Sequence, residues 1–205
     1  MIKIDLKREL PEYFKASTEQ FSLHNFSEYK YFMVNGSGDP NTEASYETAL
    51  QLLYGLSYTL KFKSKNELGK DFVVPPLEGL WWADDMKTFE TREKSKWSWT
   101  MMIMIPEWIS PDFQSIAIQD FIKKNPKVDL SNLRIDSLRE ELSVQVLHIG
   151  PYDAEGPTLE KLHKEYMPEN NLTFNGLHHE IYLGDPRKSA PEKLKTILRQ
   201  PVKRV

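Results

Sequence analysis

Glu180 is the residue of this chain best placed to do chemistry. It sits in Leu177-His178-His179-Glu180-Ile181-Tyr182-Leu183, whose apolar alternation predicts a β-strand. A period of two sends Leu177, Ile181 and Leu183 to one face and His178, Glu180 and Tyr182 to the other. A carboxylate in mid-strand is costly to bury unless something uses it. Here it can orient and deprotonate a water, or neutralise a ligand cation. Tyr182 can hydrogen-bond the carboxylate or a substrate oxygen, and equally suits plain cross-strand packing. His178, and His148 in another strand-like run, can polarise a carbonyl near neutral pH, although a lone strand histidine is more often structural.

Aromatic residues supply the second half of a site. The chain has five Trp. Trp97, Trp99 and Met101 share one face of the run from Trp97 to Ile105. Trp81 and Trp82 point to opposite faces, and Leu80 shares the face of Trp82, which favours Trp82 as core and Trp81 as pocket lining. Aromatic stripes are usually core. An indole N–H needs a partner, however, so several Trp in one small core are unusual. Walls for a flat, cationic or polarised organic ligand account for the surplus.

Other chemistries are excluded. His178 and His179 diverge, no His-x-x-x-His pair occurs and Cys is absent, so no metal site is expected. Gly36-Ser37-Gly38 lacks the spacing of a dinucleotide loop, and no Gly-x-Ser-x-Gly elbow exists. No organic cofactor is implied. With a net charge of −3 and signs interspersed, the surface predicts neither nucleic acid nor membrane partners. The opening residues lack a signal-peptide core, and the longest apolar run, Met101 to Ile105, is too short to span a bilayer. These features predict a soluble, cytoplasmic protein.

The elements that must carry these residues follow from periodicity. Residues 1–27 are polar and mixed and read as a surface arm. A first module over 28–106 holds a strand at Tyr29–Val34 and a helix from about Thr42 to Phe62, capped by Asn41 or Thr42. Strands at Glu78–Trp82 and Trp97–Ile105 complete it. A helical connection over 107–136 has Ser110 as cap and Phe113, Ile116, Ala117 and Phe121 as its buried stripe, followed by a linker from Asp129 to Asp136. The second module, 137–205, repeats the order: a strand at Leu142–Ile149, a helix at Thr158–Tyr166, the Glu180 strand, and an edge strand at Thr196–Val202. Pro201 suits only an edge. Gly36 and Gly150 take equivalent places. The prediction is one α+β domain: two pseudo-symmetric strand–helix–strand–strand modules form an antiparallel sheet, with helices on one face and a ligand cleft at the seam.

That duplicated order resembles the GyrI-like domain, the ligand-binding domain also used by multidrug-responsive transcription activators. Glu78-Gly79-Leu80-Trp81-Trp82, and His179 to Arg187 with Pro191 to Thr196 after it, are similar to the stand-alone bacterial branch, over about residues 25–205. The resemblance implies an aromatic-lined pocket between the modules, with one acidic residue in a late strand at its centre; Glu180 matches that position. It also implies a possible activity, since some stand-alone members hydrolyse cyclopropane-bearing DNA alkylators by adding water to the strained ring. On this basis Trp81 and Trp99 would stack the ligand, Glu180 would activate water, and Tyr182 or Tyr152 would polarise the substrate. Trp97, Met101, His148 and His178 would line the site. The alternative is a non-catalytic module that sequesters cationic or aromatic drugs; a weaker one is an interaction module for a topoisomerase-like partner. No helix-turn-helix segment is legible, which disfavours direct DNA binding.

Overall fold

The computed structural model describes residues 3–85 and 87–205; Met1 and Ile2 of the expected arm lie outside them. Strand β1 (Lys3–Ile4) precedes two one-turn helices, α1 (Leu6–Glu9) and α2 (Pro11–Phe14). Next come β2 (Ser22–Ser37), α3 (Ala44–Glu67), β3 (Asp71–Phe72), β4 (Leu77–Trp82), α4 (Lys87–Glu90) and β5 (Ser98–Ile105). Helix α5 (Pro111–Lys124) leads to β6 (Leu133–Ile149). Then α6 (Gly156–Lys161) continues through a π-turn, Leu162–Tyr166, into α7 (Met167–Glu169). Strands β7 (Leu172–Phe174), β8 (His178–Tyr182) and β9 (Lys195–Arg204) complete the chain.

The duplicated strand–helix–strand–strand order is present, but the sheet closes on itself. Its order is β6-β2-β5-β4-β8-β9-β7, every neighbour antiparallel, and β9 also pairs back onto β6 from Ser143↔Pro201 to Ile149↔Lys195. Strand β6 makes this possible by giving its first part to β2 and its last part to β9. The segment expected as a linker before Asp136 already belongs to it from Leu133. Closure removes the edges that an open sheet would expose. Strand β9 is therefore not an edge. Its Pro201 is tolerated because β9 leaves β8 at Arg199 and meets β7 only at Val202.

The N-terminal segment corrects the sequence reading most strongly. It is not a surface arm: Leu6, Tyr13 and Phe14 are buried inside the barrel with Tyr31, Met33, Leu80, Met102, Met104, Ile181 and Ile197. Polar groups from the surrounding strands hold it there. Tyr13 OH donates to Glu78 Oε2 at 2.6 Å and accepts from Tyr31 OH at 2.6 Å. Arg199 donates to the Tyr13 carbonyl at 2.7 Å and lies between the rings of Tyr13 and Phe26. It also donates to Glu140 at 2.8 Å, while His179 donates to Glu140 at 2.9 Å and to Glu78 at 3.0 Å. Two carboxylates thus face two cations in a space closed to water, and a half-satisfied set would be strongly destabilising.

The longer helices pack on the outer face, the same face that carries Trp81, Trp99 and Met101, so the cleft does not lie on the sheet face opposite the helices as the duplicated pattern predicts. Helix α3 packs on β2 and β5 through Leu53, Leu56 and Leu60. It begins at Ala44 with Glu43 in the cap position and no side-chain cap bond, later than the Asn41 or Thr42 start expected, because Asp39 holds Asn41 in the preceding turn. In α5 the Ser110 cap is present, accepting from Phe113 N at 3.2 Å. Its buried face is Phe113, Gln114, Ala117 and Phe121; Ile116 is exposed. Gln114 turns inward because its amide donates to the Ile109 carbonyl at 3.0 Å.

The interior charges set a pH window for stability. Burial opposes the charged His179 ring, but Glu140 and Glu78 outweigh it and raise its pKa from 6.5 to about 9. Burial likewise opposes ionised Glu140, but His179 and Arg199 lower it to about 2. Stability from His179 is therefore whole below pH 6.5 and lost as pH rises through about 9. Stability from Glu140 is whole above pH 4.5 and lost as pH falls through about 2. Thermal melts across pH should show a plateau between these limits. Glu140→Gln should lower unfolding free energy by roughly 3–5 kcal/mol in denaturant titrations, the scale for breaking a buried ion pair.

Candidate functional site

Where β4 meets β8, the outer face carries the residues singled out by sequence. The register opposes Gly79 to Glu180, Trp81 to His178 and Leu77 to Tyr182. Strand β5 adds Met101 opposite Gly79 and Trp99 opposite Trp81. On the other side Thr196 of β9 pairs Tyr182, and His148 of β6 pairs Thr196. One face of five neighbouring strands, β5, β4, β8, β9 and β6, thus gathers Glu180, Tyr182, His178, His148, Trp81, Trp99 and Met101.

Gly79, opposite Glu180, lets three neighbouring side chains close over the strand. A Cβ there would lie 2.9 Å from Trp81 Nε1 and 3.1 Å from both Tyr182 OH and Met101 Sδ. Trp81 Nε1 donates to Tyr182 OH at 2.9 Å, which leaves the phenol proton free to donate elsewhere. Burial, and then Glu180, push Tyr182 well above its ordinary range. Tyr152 packs edge-on against Tyr182 with centroids 5.5 Å apart. Burial, Glu155 and Glu180 raise Tyr152 to about 12. Both phenols are therefore hydrogen-bond donors near neutral pH.

The tryptophans differ in depth. Trp81 faces the site, with Trp97 edge-on at 6.0 Å and Phe89 stacked on Trp97 at 4.7 Å. Trp82 lies on the other face of β4 but is only half-buried, whereas Trp81 is buried, so the expectation that Trp82 is the core member of the pair fails: Trp82 ends its strand beyond the packed interior. Trp99 and Met101 are wholly buried and form the floor. The Trp99 ring crosses Gly36 so closely that a Cβ would lie 2.1 Å from it. That contact explains a glycine within β2 and leaves Trp99 Nε1 without a hydrogen-bond partner.

Three site residues escaped the sequence reading. Tyr46 of α3 lies edge-on to Trp99 at 5.2 Å, and burial followed by Glu180 raises its pKa. Glu155, between β6 and α6, is only 5% exposed. Burial and then the facing Glu180 push it up to about 10. His163 stands on the π-turn, where burial and then His178 lower it to about 4. No sequence signal marks a π-insertion, and nothing beside Glu155 in the chain marks it as buried.

The seam also concentrates unpartnered polar atoms. Glu155 Oε1, Thr196 Oγ1, His163 Nε2 and both ring nitrogens of His178 are buried without a hydrogen-bond partner. His178 Nε2 is 3.3 Å from Glu180 Oε1, close enough for an ion pair but outside hydrogen-bond geometry. His148 is tied to the Pro151 carbonyl at 3.3 Å. Across the mouth, Arg92 and Lys94 of the β4–β5 loop both bind Asp153, next to Tyr152. Two surface cavities of about 320 and 240 Å³ lie elsewhere, around Arg139, Glu141 and Asn175. Neither is lined by an unpartnered buried group, so chemistry is better placed at the seam. Among the described residues no His, Cys, Asp and Glu group is arranged to hold a metal ion, and no helix is long and apolar enough to cross a membrane.

Residues 19–203 match the GyrI-like small molecule binding domain. The chain belongs to the GyrI-like family. This GyrI-like protein is similar to an uncharacterized conserved protein from Listeria innocua, with 36% identity and TM-score 0.89, covering 98% of this chain and 100% of that one. A hydrolase from Listeria innocua is 35% identical at TM-score 0.86, over 98% of this chain and 100% of that one. The C-terminal domain of EcmrR shares the fold at 14% identity and TM-score 0.55, over 91% of this chain and 98% of that one. No curated protein sequence matches the chain.

Gly79→Ala should push Trp81 and Tyr182 apart. The expected result is a loss of roughly 1–3 kcal/mol of stability by overpacking. Affinity for a planar aromatic cation, read by Trp fluorescence titration, should fall by about tenfold or more.

Proposed function

We propose that the Glu180 face binds a flat aromatic or cationic molecule and catalyses addition of water to it, with cyclopropane-bearing alkylators as the substrate class. The observation that carries this reading is the meeting of Trp81, Tyr182 and Met101 over Gly79, directly opposite Glu180, which only a residue without a side chain allows. A ligand ring stacks against Trp81 and Trp97, over a floor of Trp99 and Met101. Glu180 takes a proton from the attacking water. Tyr182 or Tyr152 donates a hydrogen bond to the substrate oxygen, and His148 and His178 border the ligand.

Hydrolases of Listeria innocua at 35% identity over nearly the full chain support the chemical step. The family description as a small molecule binding domain supports the ligand class and equally fits a sequestering protein. One experiment separates the two. Wild type and Glu180→Gln are incubated with a cyclopropane-bearing alkylator and the products weighed by mass spectrometry. A hydrolase with Glu180 as base adds one water, and the variant keeps affinity within a few-fold while turnover drops by roughly 10²-fold or more. Equal conversion by both removes Glu180 as base. Unaltered ligand with quenched Trp fluorescence leaves a binding protein.

A further inference from the structure

We propose that Glu155 is the proton donor of this site, delivering its carboxyl proton to the substrate oxygen that receives the electron pair when the ring opens. The proposal rests on the reading of Glu180 as base and gives that reaction its acid. Its ground is a contrast between buried carboxyls in one small protein. Glu140 is enclosed in the barrel and bound by both His179 and Arg199. Glu78 is enclosed with it and bound by His179 and Tyr13. Glu155 is as enclosed as Glu140, yet among the described residues no ion pair to it is found. Arg92, the cation whose charge acts on Glu155, is engaged by Asp153.

Glu155 closes the turn Tyr152–Ala154, whose Tyr152 packs edge-on against Tyr182 at 5.5 Å, and Glu180 rather than a cation is the charge that acts most strongly on it. Its Oε1 and the Thr196 hydroxyl are buried with no partner in good hydrogen-bond geometry, and Thr196 is the hydroxyl that acts on the carboxyl. A buried carboxyl without a cation, held against a like charge, is stable as the neutral acid. Two carboxyls whose environments drive their protonation apart make an acid and base pair. The phenols are weaker candidates for the donor, since Tyr152 is raised to about 12 and Tyr182 well above its ordinary range.

The step balances. Water oxygen bonds to a ring carbon as one water proton passes to Glu180. The strained C–C bond breaks, and its electron pair moves through the conjugated system onto a carbonyl oxygen. That oxygen takes the Glu155 proton. Glu180 then carries a proton and Glu155 a charge, and transfer between the facing carboxyls restores both. The substrates are thus electrophiles whose strained ring is conjugated to a carbonyl, and water is the sole co-reactant.

The test uses two spiro-cyclopropyl substrates that differ in the acidity of the phenol released. With the weakly acidic phenol, Glu155→Gln should lower kcat by about 10²-fold with little change in KM. With a nitro-substituted ring the released phenolate needs no proton, and the loss should shrink to within about fivefold. Glu180→Gln should slow both substrates alike. Equal losses on both substrates in Glu155→Gln, or none, overturn the donor. A substrate-dependent loss in Glu155→Gln beside full activity in Glu180→Gln keeps the donor and removes the base. No product from wild type removes the hydrolytic reading and the donor with it. Infrared spectra near neutral pH give a substrate-free readout: a protonated-carboxyl stretch present in wild type and absent in Glu155→Gln. Its absence from wild type also overturns the proposal.

Discussion

The rest of the structure depends on four charges sealed inside a closed sheet. Glu78 comes from β4, Glu140 from β6, His179 from β8 and Arg199 from β9, so the network ties both modules together at once. None of these groups can be left unpaired away from water without a large penalty, which makes their mutual geometry a strict condition on strand register. With His179 held inward by two carboxylates, strand alternation leaves His178 and Glu180 no direction but outward. With Glu78 inward, Gly79 must face out opposite Glu180. The register of the candidate site is thus a consequence of the buried ions behind it. The N-terminal helices complete the same network, because Arg199 binds the Tyr13 carbonyl and Glu78 the Tyr13 hydroxyl.

The two faces of the seam handle polarity in opposite ways. Inside, each of the four charged groups is paired, although Glu78 Oε1 itself has no partner, and the charges balance when His179 is protonated. Outside, one carboxyl faces another and several buried nitrogens and oxygens have no partner. Such frustration is what a site that must interact with a ligand retains, and the well-packed barrel beneath it carries the energetic burden. The modules also divide the work. The first contributes Trp81, Trp97, Trp99, Met101 and Tyr46, an aromatic wall and floor. The second contributes Tyr152, Glu155, His163, His178, Glu180 and Tyr182, the polar groups.

Their helices differ accordingly. Helix α3 runs unbroken from Ala44 to Glu67 and packs by regular aliphatic contacts. The segment from Gly156 to Glu169 is interrupted by a π-turn that carries His163 toward His178. π-Turns within helices recur at functional sites because the extra residue re-aims a side chain that a regular helix would place elsewhere. A duplicated architecture has therefore been kept in its strands and altered in its helices.

Local pattern was enough to read much of this from the sequence. Alternation placed Glu180 between His178 and Tyr182 on one face and sent Trp81 and Trp82 to opposite faces, and the Ser110-Pro111 signal located the start of α5; each depends only on neighbours along the chain. The same logic failed wherever the deciding partner was distant. The first residues looked like an exposed arm because nothing nearby reveals that Tyr13 meets Glu78, 65 residues on. Glu155 drew no reading at all, because nothing beside it in the chain marks it as buried. Strand β9 looked like an edge because Pro201 marks one in isolation, whereas closure with β6 depends on the length and bend of a strand whose first residues read as linker. By itself the sequence determined which side chains share a strand face, since backbone geometry sets that period. Only the tertiary structure decided which faces meet and which carboxyls find a cation, because burial and charge pairing are properties of residues brought together from opposite ends of the chain.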